Sequence, residues 1–142
     1  MAQIKHSIAI EAAPDVIFPL VSTANGFTKW WAADVAESGG IAELGFFNRN
    51  TIYRLKPEQM EPLRKADWLC ISGHEWQGTK LLFELTPAGK STKLVFTHAG
   101  WHAETDYFVS CTTTWGELMF RIKAAAEGKT PGPLFSANGM AY

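Results

Sequence analysis

Little in this sequence favours a disulfide-stapled or membrane-spanning protein. The 142 residues contain only two cysteines, Cys70 and Cys111, and no Cys-x-x-Cys motif. Two isolated cysteines favour a reducing compartment over a disulfide scaffold. No apolar run approaches the ~20 residues that cross a bilayer, and residues 1–20 lack the apolar core of a signal peptide. We therefore expect a cytoplasmic protein without a membrane span.

An excess of charge of one sign is also missing. The 13 Lys and Arg residues nearly balance the 14 Asp and Glu residues, which leaves a net charge of −1 at pH 7. Nucleic acids and anionic membrane surfaces select proteins with a basic stripe, and the basic residues here are scattered. The sequence also lacks a Gly-x-Ser-x-Gly motif and a phosphate-binding loop. We expect no nucleic-acid partner, no nucleotide and no covalent catalysis.

Aromatic residues are what the chain has in abundance. It contains six Trp, nine Phe and three Tyr, and such wide, rigid side chains suit a ligand pocket or an interface. The length fits one domain, which we expect over residues 1–128. Because Pro131, Gly132 and Pro133 disfavour regular structure, residues 129–142 are predicted to form an extended C-terminal tail.

The pattern of apolar residues predicts an α+β protein. Apolar and polar residues alternate over residues 4–10, which is typical of a strand with one buried face. Pro14 favours the start of a short helix, and Asn25-Gly26 favours its end. A second short helical turn is predicted over Phe27 to Trp31. About six strands with hairpin-like links are then expected over residues 34–98.

A long helix is predicted from about Glu104 to Glu127, with Gly128 as its stop. One face of this helix carries apolar residues at three- and four-residue steps, namely Phe108, Cys111, Trp115, Leu118, Met119 and Ile122. Thr112 and Gly116 interrupt that face with small or polar groups. A helix that turns a Trp, a thiol and a hydroxyl inward indicates the floor of a cavity.

This order of elements resembles the helix-grip fold of START domains, the birch-pollen allergen and polyketide cyclases. The segments at residues 8–18 and 94–101, the Gly39-Gly40 turn and the helix around Trp115 are similar to one branch of that superfamily. This branch includes the activator of heat-shock-protein-ninety ATPase. The resemblance implies a curved antiparallel sheet wrapped around the long C-terminal helix, with a cavity between them. Its motifs shape the fold and imply no particular activity.

The leading hypothesis is a protein that binds a small hydrophobic or amphipathic molecule between the sheet and the helix. The predicted lining joins inward strand positions, the helix face and an aromatic mouth: Trp31, Phe46, Tyr53, Phe83, Phe96, His98, Phe108, Cys111, Thr112, Trp115 and Met119. Among these, Tyr53, His98 and Thr112 are expected to orient the ligand. The simpler alternative is that the aromatic side chains fill a dense core.

Two further functions stay open. A cyclase- or hydrolase-type enzyme would use His98 as an acid or base. An interaction module would bind a chaperone or a second copy of the chain, as a homodimer, through exposed aromatics and the tail. His98 and His102 are four residues apart but lie outside a helix, so they lack the geometry of paired metal ligands. We expect no metal and no cofactor.

Overall fold

A computed structural model describes residues 2–142. Its strands are β1 (Ala2–Ile10), β2 (Asp34–Ser38), β3 (Ile41–Phe46), β4 (Thr51–Glu61), β5 (Lys65–Ser72), β6 (Lys80–Ala88) and β7 (Ser91–Trp101). Its helices are α1 (Pro14–Ser22), α2 (Ala24–Phe27) and α3 (Asp106–Ala126), with a 3₁₀ turn at His74–Trp76.

The strands of residues 2–142 form one curved antiparallel sheet of seven strands in the order β1-β7-β6-β5-β4-β3-β2. From β2 to β7, each strand pairs with the next one in the sequence. Strand β1 is the exception, because it pairs with β7 and not with β2. The long helix α3 packs against β1 and α1. The predicted α+β helix-grip fold is confirmed.

The buried face of α3 is the one that the apolar spacing predicts. Phe108, Cys111, Trp115, Leu118, Met119 and Ile122 are all buried. The helix begins at Asp106 rather than Glu104, because the Thr105 hydroxyl accepts a hydrogen bond from the Phe108 amide at 3.2 Å. This is the bond of an N-cap residue, which satisfies an amide without a partner inside the helix. Gly128 follows the helix with a φ of +89°, as expected for a glycine at a helix end.

The two early helices divide at a different place from the predicted one. Asn25 and Gly26 were expected to end the first helix, yet both lie inside α2. The break falls at Thr23, which has extended backbone angles. Its hydroxyl accepts from the Gly26 amide at 2.8 Å and donates to the Pro19 carbonyl at 2.8 Å. A threonine that caps the next helix is therefore the actual boundary.

Strand β4 continues to Glu61 although it contains Pro57. Strand β3 pairs with β4 only over residues 51–55. Beyond Leu55, β4 pairs with β5 alone, and the pairing is irregular between Pro57 and Gln59. Proline is tolerated at such a free edge because no neighbouring strand there requires a hydrogen bond from its missing N–H.

The C-terminal segment, predicted as an extended tail, folds back onto the domain. The amide of Leu134 donates to the Trp30 carbonyl at 3.1 Å, and the amide of Phe135 donates to the Trp31 carbonyl at 3.0 Å. Leu134 is 1% exposed and Phe135 is 9% exposed. Burying these two large apolar side chains stabilises the packing of the segment against the domain. The surrounding Gly and Pro residues led to the prediction of an extended tail instead.

Candidate ligand-binding cavity

A cavity of about 170 Å³ lies between α3, strands β3 and β4, and the C-terminal segment. Its walls are mostly aromatic, and hydroxyl and thiol groups occupy part of them. The lining residues are Trp31, Phe46, Phe47, Thr51, Tyr53, Trp76, Tyr107, Ser110, Cys111, Thr114, Trp115, Leu118, Phe135 and Met140. A concave, largely apolar space with a few polar groups is the usual form of a small-molecule site.

Five of the residues predicted from the sequence meet at this cavity. Trp31 comes from the segment after α2, Phe46 from β3 and Tyr53 from β4, while Cys111 and Trp115 come from α3. Their side chains lie close together although the residues are far apart in sequence. The Trp31 and Trp115 rings, for example, are 5.1 Å apart.

The other predicted lining residues lie elsewhere. Phe83, Phe96, His98, Phe108 and Met119 are buried but do not line the cavity. The indole of Trp115 separates the β6 and β7 aromatics from the open space, since its ring lies 4.2 Å from that of Phe96. In this half of the molecule the aromatic residues fill a dense core, as the alternative interpretation held.

Thr112 lies on a different side of α3 from the cavity. Its hydroxyl donates to the Val109 carbonyl at 2.6 Å. Its carbonyl oxygen is 3.2 Å from Nε2 of His6 on β1. One step along a helix rotates the side chain by about 100°, which turns Thr112 away from the cavity that Cys111 lines. The backbone of Thr112 contacts the first strand instead.

Trp76 supplies the largest wall that the sequence did not reveal. Its ring stacks on Tyr53 at 3.9 Å and 10°, and on Trp115 at 5.9 Å and 20°. The 3₁₀ turn that carries it holds the ring 4% exposed. The sequence feature that could have identified this wall is a Trp within a polar turn, between His74-Glu75 and Gln77-Gly78. A large apolar side chain in such a turn indicates that the turn packs inward.

Hydroxyl and thiol groups form a polar arc along one side of the cavity. The phenols of Tyr53 and Tyr107 form a hydrogen bond with each other. Burial raises the pKa of Tyr53 well above its ordinary value. It also raises the pKa of Tyr107 to about 12 and that of the Cys111 thiol to about 11. All three groups are therefore protonated and uncharged at neutral pH.

His98 is fully buried behind the cavity and holds two of its walls in place. The indole N–H of Trp115 donates to Nδ1 of His98 at 3.1 Å. Nδ1 is then the acceptor, so Nε2 carries the proton and donates to the Thr79 hydroxyl at 2.8 Å. That hydroxyl donates to the Trp76 carbonyl at 2.5 Å. Both ring nitrogens are occupied, which leaves none for a substrate.

Burial also keeps His98 neutral. Because the charged ring would be desolvated, the pKa of His98 is lowered from 6.5 to about 3. A general acid or base at neutral pH needs a pKa near 7 and access to the reacting atoms. His98 has neither property. Its role in this structure is to position Trp115 and, through Thr79, the turn that carries Trp76.

The C-terminal segment closes one side of the cavity. The Phe135 ring meets Phe46 edge-on at 5.0 Å and 89°, and Met140 adds a further apolar side chain to the lining. The Asn48 amide donates to the Ala137 carbonyl at 2.7 Å, which ties the segment to the turn between β3 and β4. The cavity is therefore complete only with the tail in place.

Neither a metal-binding cluster nor a membrane-spanning helix occurs in the described part of the chain. Over residues 2–142, no three His, Cys, Asp or Glu side chains are grouped so that they hold a metal ion. No helix within the same residues is both long and apolar enough to cross a membrane. Cys70 and Cys111 are buried free thiols.

Comparison with solved structures places this architecture among known proteins. The Aha1 dimer of Colwellia psychrerythraea, solved in solution, is 30% identical in sequence and has a TM-score of 0.78. The match covers 90% of this chain and 98% of that one. The chain belongs to the Aha1-like family. The resemblance expected from the residues around Gly39-Gly40, 94–101 and the long helix is thus confirmed.

More distant structures share the fold of this Aha1-like protein. Protein MLL2253 of Mesorhizobium loti is 11% identical with a TM-score of 0.75, over 87% of this chain and 96% of that one. CalU16 of Micromonospora echinospora is 17% identical with a TM-score of 0.72, over 92% and 68%. At these identities the likeness concerns the fold alone. No protein-family model matches the sequence, and the comparison with curated proteins also finds no match.

Proposed function

We propose that this Aha1-like protein binds a small hydrophobic or amphipathic molecule in the cavity between α3 and the sheet. The observation that carries the proposal is the aromatic lining, in which Trp31, Trp76 and Trp115 form part of the wall around about 170 Å³ of space. Transfer of apolar ligand surface from water into such a space stabilises the complex by about 25 cal/mol per Å². The polar arc around Tyr53 and Tyr107 would orient the ligand.

Binding fits the lining better than catalysis does. The cavity wall contains no His, Asp, Glu, Lys or Arg side chain. Its titratable groups are phenols and a thiol, and burial raises the pKa of Tyr107 to about 12 and that of Cys111 to about 11. Such groups exchange protons poorly at neutral pH. The wall is suited to hold a molecule rather than to transform it.

Thr114→Phe tests this proposal by placing a ring inside the cavity. Thr114 lines the cavity from α3 and is partly exposed, so the larger side chain enters the space that a ligand would occupy. We expect the affinity for neutral apolar compounds such as toluene and phenol to fall at least tenfold, which corresponds to about 1.4 kcal/mol. Chemical-shift titration of the tryptophan indole signals measures the affinity.

Thr113→Phe is the matched control for that experiment. Thr113 is the preceding residue of α3, and its side chain is exposed and outside the cavity lining. The same chemical change there should leave the affinity unchanged. Equal loss in both variants, or no binding by the unmodified protein, would contradict the proposal.

We also propose that the protein forms a homodimer. The structure of the Colwellia psychrerythraea relative is a dimer, and on α3 the apolar side chains of Val109 and Phe120 are 57% and 63% exposed. Exposed apolar residues of this kind are enriched at interfaces. Light scattering coupled to size-exclusion chromatography should give twice the mass of one chain. A mass of one chain at high micromolar concentration would refute the dimer.

A further inference from the structure

The size of the cavity restricts what it holds. An apolar cavity of about 150 Å³ in another protein accommodates one benzene molecule, and the present cavity is of similar size, about 170 Å³. Protein interiors are close-packed and do not expand without cost. A single substituted ring fits this space, whereas a long acyl chain has several times the volume of a ring.

The shape of the walls favours a flat molecule. Tyr53, Trp76 and Trp115 form a series of nearly parallel rings, with interplanar angles of 10° and 20° between neighbours. Trp31 adds a fourth aromatic face, tilted by 54° to Trp115. Aromatic rings attract one another in offset-stacked and edge-on arrangements at centroid distances of about 4.5–7 Å. A planar ring can make such contacts with several walls at once.

The charge of the walls favours a neutral molecule. No lining residue carries a formal charge at neutral pH, because the phenols and the thiol remain protonated. An anionic ligand would lose its hydration in this space without meeting a counter-charge, and that loss is costly. Carboxylates are disfavoured for this reason.

The Tyr53–Tyr107 pair leaves one phenol proton free to donate. The Tyr53 and Tyr107 phenols have two O–H protons between them, and their mutual hydrogen bond uses one. The Cys111 thiol also lies within reach of the Tyr107 phenol, but sulfur is a weak acceptor. A ligand oxygen near this pair would offer the remaining proton a stronger acceptor.

We infer, resting on the proposed function, that the ligand is a neutral planar ring compound that carries one oxygen acceptor, such as a phenol or an aryl ketone. The ring lies in the cavity against Trp31, Trp76 and Trp115, whose own rings contact one another with centroids 5.1–6.1 Å apart. Its oxygen accepts from the Tyr53–Tyr107 pair. Fatty acids, long-chain alcohols and aromatic anions are excluded by size or by charge.

The test is a chemical-shift titration of the intact protein with four probes at pH 7: phenol, toluene, benzoate and dodecanol. The indole N–H signals of Trp31, Trp76 and Trp115 report on the cavity. Those of Trp30 and Trp68 are internal controls, because each donates to a backbone carbonyl, at 2.8 and 2.9 Å, outside the cavity. Phenol and toluene should shift the cavity signals, and benzoate and dodecanol should bind at least tenfold more weakly than phenol.

The double variant Tyr53→Phe/Tyr107→Phe separates the polar contact from the apolar ones. Both phenols are replaced because the loss of one would free the proton of the other for the ligand. Their hydroxyls bond each other, so removing both leaves neither without its partner and should leave the fold intact. A net hydrogen bond changes an affinity by about three- to tenfold, and we expect phenol to lose that factor while toluene binds as it does to the unmodified protein. An equal effect on both probes would refute the assigned hydrogen bond.

Failure of this inference is distinguishable from failure of the proposed function. If dodecanol shifts the cavity signals as strongly as phenol and Thr114→Phe abolishes that binding, the cavity binds ligands but the ring class is wrong. If benzoate binds as tightly as phenol, the neutral requirement is wrong. If no probe shifts a cavity signal, both the inference and the proposed function are overturned.

Discussion

Replacing His98 by alanine should lower the free energy of unfolding by about 3–5 kcal/mol. The side chain is fully buried, and its removal leaves the Trp115 indole N–H without its acceptor and the Thr79 hydroxyl without its donor. A buried polar group that loses its partner costs about 1–3 kcal/mol, and the space left by the ring adds to that cost. Domains of this size are stable by only about 5–15 kcal/mol, so the loss is a large fraction of the total.

Denaturation with guanidinium chloride measures this loss. The matched control is His102→Ala, which removes the same side chain from an exposed position four residues away and should change stability by no more than about 0.5 kcal/mol. Similar stabilities for the two variants would contradict the structural role of His98. If His98→Ala does not fold, His98→Gln provides a milder variant, since its amide supplies one donor and one acceptor.

The same histidine predicts how stability depends on pH. Its pKa is lowered from 6.5 to about 3 in the folded protein, so between these values the unfolded chain holds a proton that the native state lacks. Stability therefore rises with pH across that window and falls on acidification, by about 1.4 kcal/mol per pH unit at most. His98→Gln should remove this slope between pH 5 and 6.5. A slope that persists in the variant would assign it to other groups.

Replacing Leu134 by alanine should cost about 2–5 kcal/mol, although the residue lies in a segment of irregular structure near the C-terminus. Leu134 is 1% exposed, and its amide donates to the Trp30 carbonyl. The alanine leaves a cavity beneath the segment, and the surrounding packed residues relax only in part. The tail therefore contributes to the stability of the domain as a core element does.

Met140→Ala is the matched control within the same segment. Met140 is 44% exposed, so its truncation should change the free energy of unfolding by about 0.5 kcal/mol or less. Guanidinium denaturation of both variants gives the comparison. If Leu134→Ala is as stable as Met140→Ala, the segment does not belong to the cooperative unit and the cavity wall at Phe135 is not permanent.

The elements that the sequence predicted well are those with local, repetitive patterns. The alternation over residues 4–10 and the spacing along α3 each depend on the backbone geometry of one element. The same is true of the Gly39-Gly40 turn, where both glycines have positive φ. Such patterns can be recognised without knowledge of the neighbours. Boundaries were predicted less accurately, as the start of α2 after Thr23 shows, because a single capping side chain decides them.

The cavity was predicted in part. Periodicity identified Cys111 and Trp115 correctly as inward residues of α3, and both line the cavity. The same reasoning assigned Phe83 and Phe96 to the lining, and they lie in the packed core instead. Periodicity shows which face of an element turns inward. It does not show whether the space in front of that face is filled by another ring, as Trp115 fills it here.

The sequence by itself determined the order of the elements and their buried faces, and its resemblance to a known family implied the helix-grip arrangement. Only the tertiary structure decided where space remains, that Trp76 and Phe135 form walls, and that His98 is engaged at both nitrogens. The physical reason is the range of the interactions. Helix and strand patterns arise from neighbours within a few residues, whereas a cavity is the small volume left after many distant side chains have packed.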